Sequence, residues 1–411
     1  MNQRTMQGIR VLHLTPEFPP VIWGGLGTAV GGLVNASARA GTTVGVLLVG
    51  GVLVLGKRGY GGWQPISEES VAHARLKARA DSGGVTFFHI PPDDAVDTGL
   101  RLAQAWQPDV VHLHTAWLWP VARAIRERIR TPLVFTVHSL DRAEYEVGGC
   151  ASHWEAQETV IRQADRVIAI SHSEKDLLVQ CLPEMRDRIR IVGNGIDDCA
   201  TAREAACKDR RSESPLVLYT GRFVDRKGIR ELLAAIPLVL EQAPAARFVL
   251  VGGYGGGAEI ERSWLIDVLR PYRSRVHFTG WLALYEVAEW YRKADVLIVP
   301  SWYEPFRMVI LEGMLYGLPI AASNVDGPAE ILEHGRTGLL FPPKNVEALA
   351  QTLLRLLTNA GLRRQIGAAA ADEVRCQWLW PRIMEKMRVV YQEVIGLRLP
   401  GRTENQLSRS G

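Results

Sequence analysis

Little in this chain speaks for a secreted, membrane-spanning or nucleic-acid-binding protein. Its five cysteines, Cys150, Cys181, Cys199, Cys207 and Cys376, are odd in number and form no CxxC pair or zinc-ligand spacing. A disulfide framework is therefore not expected, and free thiols in a reducing cytosol are. The longest apolar stretch, 44-VGVLLVGGVLVLG-56, is too short and too rich in glycine to cross a bilayer. The first residues, MNQRTMQG, are polar and run straight into a strand pattern, so no signal peptide is expected. Charge of one sign is scarce as well: 48 Lys and Arg against 44 Asp and Glu leave +4. That excess is too mild to argue for nucleic acid or a membrane surface. No basic amphipathic helix points to a lipid-linked partner, though peripheral membrane contact stays open. The expectation is a cytoplasmic protein with no transmembrane segment and no nucleic-acid partner; oligomeric state is not legible.

What is present is an ordinary globular balance, 47% hydrophobic and 22% charged over 411 residues, enough for two cores. Buried apolar runs near 9–15, 43–50, 85–90, 109–113, 132–137 and 166–170 alternate with helical patterns near 26–38, 98–106, 118–129, 153–164 and 173–180. After 191-IVGNGID-197 the alternation restarts. Strands are expected at 215–220, 246–252, 275–279, 295–299 and 319–322. Helices are expected near 228–241, 258–270, 285–292, 307–316 and 346–358. This order implies an α/β fold of two facing, doubly wound parallel-sheet domains with a cleft between them. The spans are 1–194 and 195–378, with a polar linker over 198–214. An amphipathic helix over 379–396 could cross back to the first domain, and a flexible tail follows over 397–411.

In open α/β sheets, ligands bind beyond the carboxyl ends of strands. The loop 23-WGGLG-27 sits at such an end and opens a helix, where free N–H groups suit a phosphate. A plain tight turn explains it equally well. The stretch 51-GVLVLGKR-58 imitates a P-loop but has Arg58 in place of Ser or Thr, and apolar residues where a phosphate cradle would lie. In 110-VVHLH-114, His112 and His114 share one side of a strand. A metal pair is conceivable there, but no third ligand has a recognisable spacing, and core or cleft-lining histidines fit better. His138 ends a strand in 133-LVFTVHS-139. In 216-LVLYTGRFVDRKG-228, Arg222 and Lys227 flank a short loop bracketed by Gly221 and Gly228. Two cations at a cleft suit an anion, a diphosphate above all. Finally, 301-SWYEPFRMVILEGMLYGLPI-320 places Glu304 in a loop, Pro305 at a helix entrance and Glu312 about two turns in. These carboxylates are too far apart to be a close dyad, and they suit gripping two parts of one ligand.

Together, 24-GGLG-27, 138-HS-139, 194-NGID-197, 221-GRFVDRKG-228, 304-EPFRMVILE-312 and 335-GRTGLLFPP-343 resemble the retaining nucleotide-sugar glycosyltransferases of family 4, which have the GT-B architecture. The resemblance covers nearly the whole chain, in order. It implies transfer of a hexose from a nucleotide-diphosphate sugar, with UDP expected, to a hydroxyl of a small-molecule or saccharide acceptor with retention of configuration. It implies no cofactor besides this co-substrate and no metal, and no Asp-x-Asp motif appears. Phosphorylases, sugar-nucleotide epimerases and non-catalytic binding proteins on the same architecture are the competing readings.

Position by position, the resemblance gives Arg222 and Lys227 to the donor diphosphate and Glu312 to the ribose hydroxyls. Glu304 and the backbone of Phe306, Arg307, Met308 and Val309 go to the transferred sugar. Gly25 and Gly27 would lie close to the phosphates, His138 at the donor sugar, and the main chain from Gly280 to Leu282 along the base pocket. The acceptor side is drawn from Trp23, Gly24, His114 and Trp117. Aromatic faces suit sugar rings, but Trp23, Trp63, Trp117 and Trp119 are better explained by local packing. Arg307 departs from the pattern, since the family often has glycine there. A cation just inside a helix opposes the positive end of the dipole. It is favourable beside an anion, such as phosphate or a donor carboxylate; otherwise it points to solvent.

Overall fold

A computed structural model describes residues 8–19, 22, 25–49, 51–53, 63–65, 85–147, 154–207, 213–253 and 269–396. Strand-forming runs that are apolar on both faces collect into two parallel sheets. The first holds β1 (Arg10–Thr15), β2 (Thr43–Val49), β5 (Val85–Ile90), β6 (Val110–Leu113), β7 (Leu133–Val137), β8 (Arg166–Ala169) and β9 (Ile189–Ile191). Their spatial order is β5-β2-β1-β6-β7-β8-β9. The second holds β10 (Leu216–Thr220), β11 (Arg247–Val251), β12 (Val276–Gly280), β13 (Val296–Val299), β14 (Ile320–Ser323) and β15 (Leu339–Phe341), ordered β12-β11-β10-β13-β14-β15. A small antiparallel pair, β3 (Gly51–Leu53) with β4 (Trp63–Pro65), stands apart from both. β6, β7, β10 and β13 are buried along their whole length, as expected where helices cover both faces.

The chain passes between the domains twice, side by side. Ile196 N–H donates to Trp378 O at 2.9 Å, and Trp380 N–H donates to Ile196 O at 3.2 Å. The helix Trp380–Gly396 then lies on the first sheet. Its Trp380, Ile383, Met387 and Val390 share an apolar cluster with Val11, Val110, Val134 and Ile168. Glu393 anchors it to Arg166 at 2.8 Å and Arg190 at 3.0 Å.

Four described helices were not expected: the short Asp141–Glu146 and Asp326–Ile331, and the two that follow. Ala360–Gln377 packs on the second domain, where Ala370 and Val374 join the core around Ile310. Its buried face mixes Ile366 and Val374 with the small residues Gly367, Ala370 and Ala371 and the polar Arg363, which blunts the apolar periodicity. The linker also folds in part: Ala200–Ala206 is helical, with Ala202 and Ala205 in the same core. The helix expected over 258–270, the P-loop-like stretch after Leu53 and the tail 397–411 fall wholly or mainly outside the described residues.

Candidate active site

The second domain supplies most of the polar side chains. After β10, the chain turns through Asp225–Lys227 into the helix Ile229–Gln242. Gly228, at φ +66°, makes the turn possible: a Cβ there would lie 1.8 Å from Pro300 O. This close approach sets Arg226 and Lys227, both buried, against the loop that follows β13.

In that loop Glu304 is buried with three partners on one oxygen. Lys227 Nζ and Ser301 Oγ both donate to Oε2, the latter at 3.1 Å, and Arg307 Nη1 donates at 2.9 Å. The other oxygen, Oε1, has no partner among the described residues. Arg307 is only 7% exposed, and its Nη2 reaches Thr220 O at 2.8 Å. The solvent-facing alternative for Arg307 is therefore wrong. An anion beside it is the protein's own Glu304. Burial alone would raise the Glu304 carboxyl, but Lys227 and Arg307 outweigh it and hold it at about 2. Arg307 cannot give up its proton, so the single Glu304 carboxylate faces two buried basic side chains, Arg307 and Lys227. Desolvation accordingly pushes the Lys227 ammonium down, against the pull of Glu304.

Glu312, on the helix Met308–Leu315, accepts from Tyr291 Oη at 2.6 Å, and burial raises its carboxyl. The first N–H groups of this helix, at Met308 and Val309, have no intrahelical acceptor. Phe306 turns inward against Trp378, with ring centroids 5.5 Å apart. Arg222 is exposed on the loop after β10, and Gly280 is exposed at the end of β12, with Leu282 partly buried beyond it. Across the cleft, the helix Gly25–Arg39 begins beside Met308: a Cβ on Gly25 would lie 3.9 Å from Met308 Cγ. Two helix N-termini thus meet. Gly27 is buried on the same first turn. Trp23 and Gly24 lie outside the described residues.

The first domain adds histidines. His114 is buried, with its Nδ1 3.1 Å from His138 Nε2 and its Nε2 3.0 Å from His13 Nδ1. It stands behind the partly exposed His138 and offers a ligand no free nitrogen. His13, His112 and His114 bring ligand-type atoms within 4.8 Å of one another, so a third histidine does join the pair. It sits on β1, and pairing of β1 with β6 sets His13 opposite His112. No local spacing could have shown this. Five of the six ring nitrogens are already hydrogen-bonded, His112 using Tyr391 Oη at 2.8 Å and Thr136 Oγ1 at 2.7 Å. Of the tryptophans, Trp117 is 49% exposed, whereas Trp119 packs against the first core.

Contacts missed from sequence close the cleft's flank. Tyr303 Oη donates to Glu174 Oε2 at 3.1 Å and accepts from Leu140 N–H at 3.2 Å. Arg226 Nε pairs with Glu144 Oε1 at 2.8 Å, and Glu144 in turn holds Ser139, next to His138, at 3.0 Å. Glu330 receives the N–H groups of His172 at 2.8 Å and Ser173 at 2.6 Å. All three join one domain to the other, and each is an isolated charge or hydroxyl in its own stretch of sequence.

Comparison with known proteins gives the same frame. Residues 24–195 match a family model described as a glycosyl transferase 4-like domain, and residues 214–359 one described as glycosyl transferases group 1. The chain is similar to a glycogen synthase of Mycobacterium tuberculosis, 28% identical over 405 residues that cover 93% of this chain and 94% of that one. A sucrose-phosphate synthase from Thermosynechococcus elongatus superposes with a TM-score of 0.72 at 23% identity, covering 95% of this chain and all of that one. Anabaena Alr3699/HepE in complex with UDP-glucose superposes with a TM-score of 0.69 at 18% identity, covering 93% of this chain and all of that one.

Proposed function

The chain belongs to the group 1, family 4 glycosyltransferases of GT-B architecture and uses a nucleotide sugar, and from that premise we propose that its donor is a UDP-sugar and that it transfers the sugar, with retention, to a hydroxyl of a small-molecule or saccharide acceptor. The observation that carries this reading is a pair of buried basic side chains held on one carboxylate. Lys227 and Arg307 share one carboxylate, beside two helix N-termini and the exposed Arg222. An incoming diphosphate supplies further negative charge.

As the bond between the anomeric carbon and the phosphate oxygen breaks, its electron pair stays on the diphosphate. Lys227, Arg222 and the N–H groups at Met308 and Val309 stabilise that charge in a desolvated site. Glu304, through Oε1, takes the sugar hydroxyls, and Glu312 takes the ribose. The main chain from Gly280 to Leu282 lines the base, and His138 meets the transferred sugar. The acceptor hydroxyl adds to the same face, and its proton passes to the leaving phosphate oxygen, so no protein base is required. The UDP-glucose held by the Anabaena protein of like fold supports UDP as the nucleotide. Thermal shift against UDP-, GDP- and ADP-sugars tests the choice. A ligand that binds only the folded state raises Tm, by about 2.7 kcal/mol of stabilisation at a hundredfold excess over Kd. The largest shift is expected with a UDP-sugar; a shift with GDP- or ADP-sugars alone contradicts it.

A further inference from the structure

Three imidazoles run in file from the first sheet to the cleft. His13 lies on β1, His114 follows β6 and His138 follows β7, and these strands are neighbours. His13 Nδ1 is 3.0 Å from His114 Nε2, and His114 Nδ1 is 3.1 Å from His138 Nε2. Each contact joins two ring nitrogens, so one carries the hydrogen and the other the lone pair. Burial keeps all three neutral, lowering His13 to about 3, His138 to about 4 and His114 well below its ordinary value. A neutral imidazole has one nitrogen of each kind, so the choice at one end dictates the other.

Only two arrangements exist. With every Nδ1 protonated, His138 presents Nδ1–H to the cleft and His13 Nε2 is a bare lone pair. With every Nε2 protonated, His138 presents a lone pair and His13 buries an N–H. His13 Nε2 is enclosed and has no partner among the described residues. A buried N–H without an acceptor is rarer and costlier than an unused acceptor, so the first arrangement wins. We propose that His13 and His114 are positioning residues that hold His138 as its Nδ1–H tautomer, making it a fixed hydrogen-bond donor to an oxygen of the bound donor sugar and not a base. Reversing the file needs a proton to enter at His13 Nε2 as one leaves His138 Nδ1, and that end is closed. A small cavity of about 10 Å³ touches His114 and His138 but not His13. The proposal rests on His138 belonging to the donor site.

Nitrogen-15 NMR of the histidine-labelled full chain, without ligand, reads each tautomer directly. His138 protonated at Nδ1 is expected; protonation at Nε2 overturns the proposal, as does displacement of the His13 and His114 bonds when zinc is added at equimolar concentration. His114→Phe breaks the file. It should return His138 to Nε2–H and lower kcat/KM about tenfold, the worth of one hydrogen bond. His114→Asn, whose amide N–H can stand in for Nδ1–H, should restore both. An unchanged His138 tautomer in the Phe variant overturns the proposal. Where that variant fails to fold, the wild-type spectrum still decides. The spectrum needs no turnover, so a wild type that transfers no sugar counts against the proposed function alone.

Discussion

Glu304, Lys227 and Arg307 form a group in which one carboxylate serves two cations, and each member should answer differently to substitution. Lys227→Ala removes one of the two basic side chains and leaves Glu304 paired with Arg307. The fold should hold while kcat falls about 10²–10³-fold, the range for losing one transition-state donor. A wild-type kcat with intact circular dichroism contradicts the diphosphate role. Arg307→Gly loses the ion pair and the bond to Thr220 O, both buried. Breaking such a pair costs roughly 3–5 kcal/mol. Lys227 still compensates Glu304, so a loss of about 2–4 kcal/mol is expected in denaturant unfolding, together with altered donor affinity. An unchanged midpoint and donor profile would refute it. Glu304 and Lys227 could be placed near one cleft because each lies in the short stretch after a strand end, and Glu312 because it falls on the helix that follows Glu304. The partner of Arg307 was not, because nothing in the sequence says that an N-cap side chain folds back on a carboxylate three residues before it.

At the scale of elements, the loop 300–307 and the helix His172–Cys181 meet through Tyr303 and Glu174. Burial, reinforced by the charge of Asp326, raises the Glu174 carboxyl to about 8. Between its ordinary value of 4.5 and 8, the folded chain holds a proton that the unfolded chain has released. The contribution of this group therefore declines as pH rises through that window and is level on either side. Glu174→Gln keeps the hydrogen-bond shape without titrating. Its unfolding free energy should fall less than that of the wild type between pH 5 and 8, measured by denaturant midpoints; parallel curves contradict the assignment. Most strands were legible as apolar runs bounded by polar turns, whereas the three-residue Ile189–Ile191 and Leu339–Phe341 are too short to show a pattern. The helix Ala360–Gln377 was not legible, because its packing depends on Gly367 approaching Gly317 O, where a Cβ would come within 2.2 Å, and not on a stripe of large side chains. Contacts between domains were illegible too: the residues of the Tyr303–Glu174 pair are 129 positions apart.

For the whole molecule, two parallel sheets face one cleft, and the helix Trp380–Gly396 ties the end of the described chain to the first sheet. Alternation of strand and helix made this architecture readable, and the restart after residue 197 marked the second domain. The chemistry we propose for the cleft is transfer from a nucleotide sugar through a diphosphate leaving group, with the acceptor arriving on the departing face. Proton NMR of the anomeric centre, followed as it first appears in the product from an α-linked UDP-sugar, tests this most directly. An α product formed together with UDP is predicted; a β product, or transfer without release of UDP, contradicts the account.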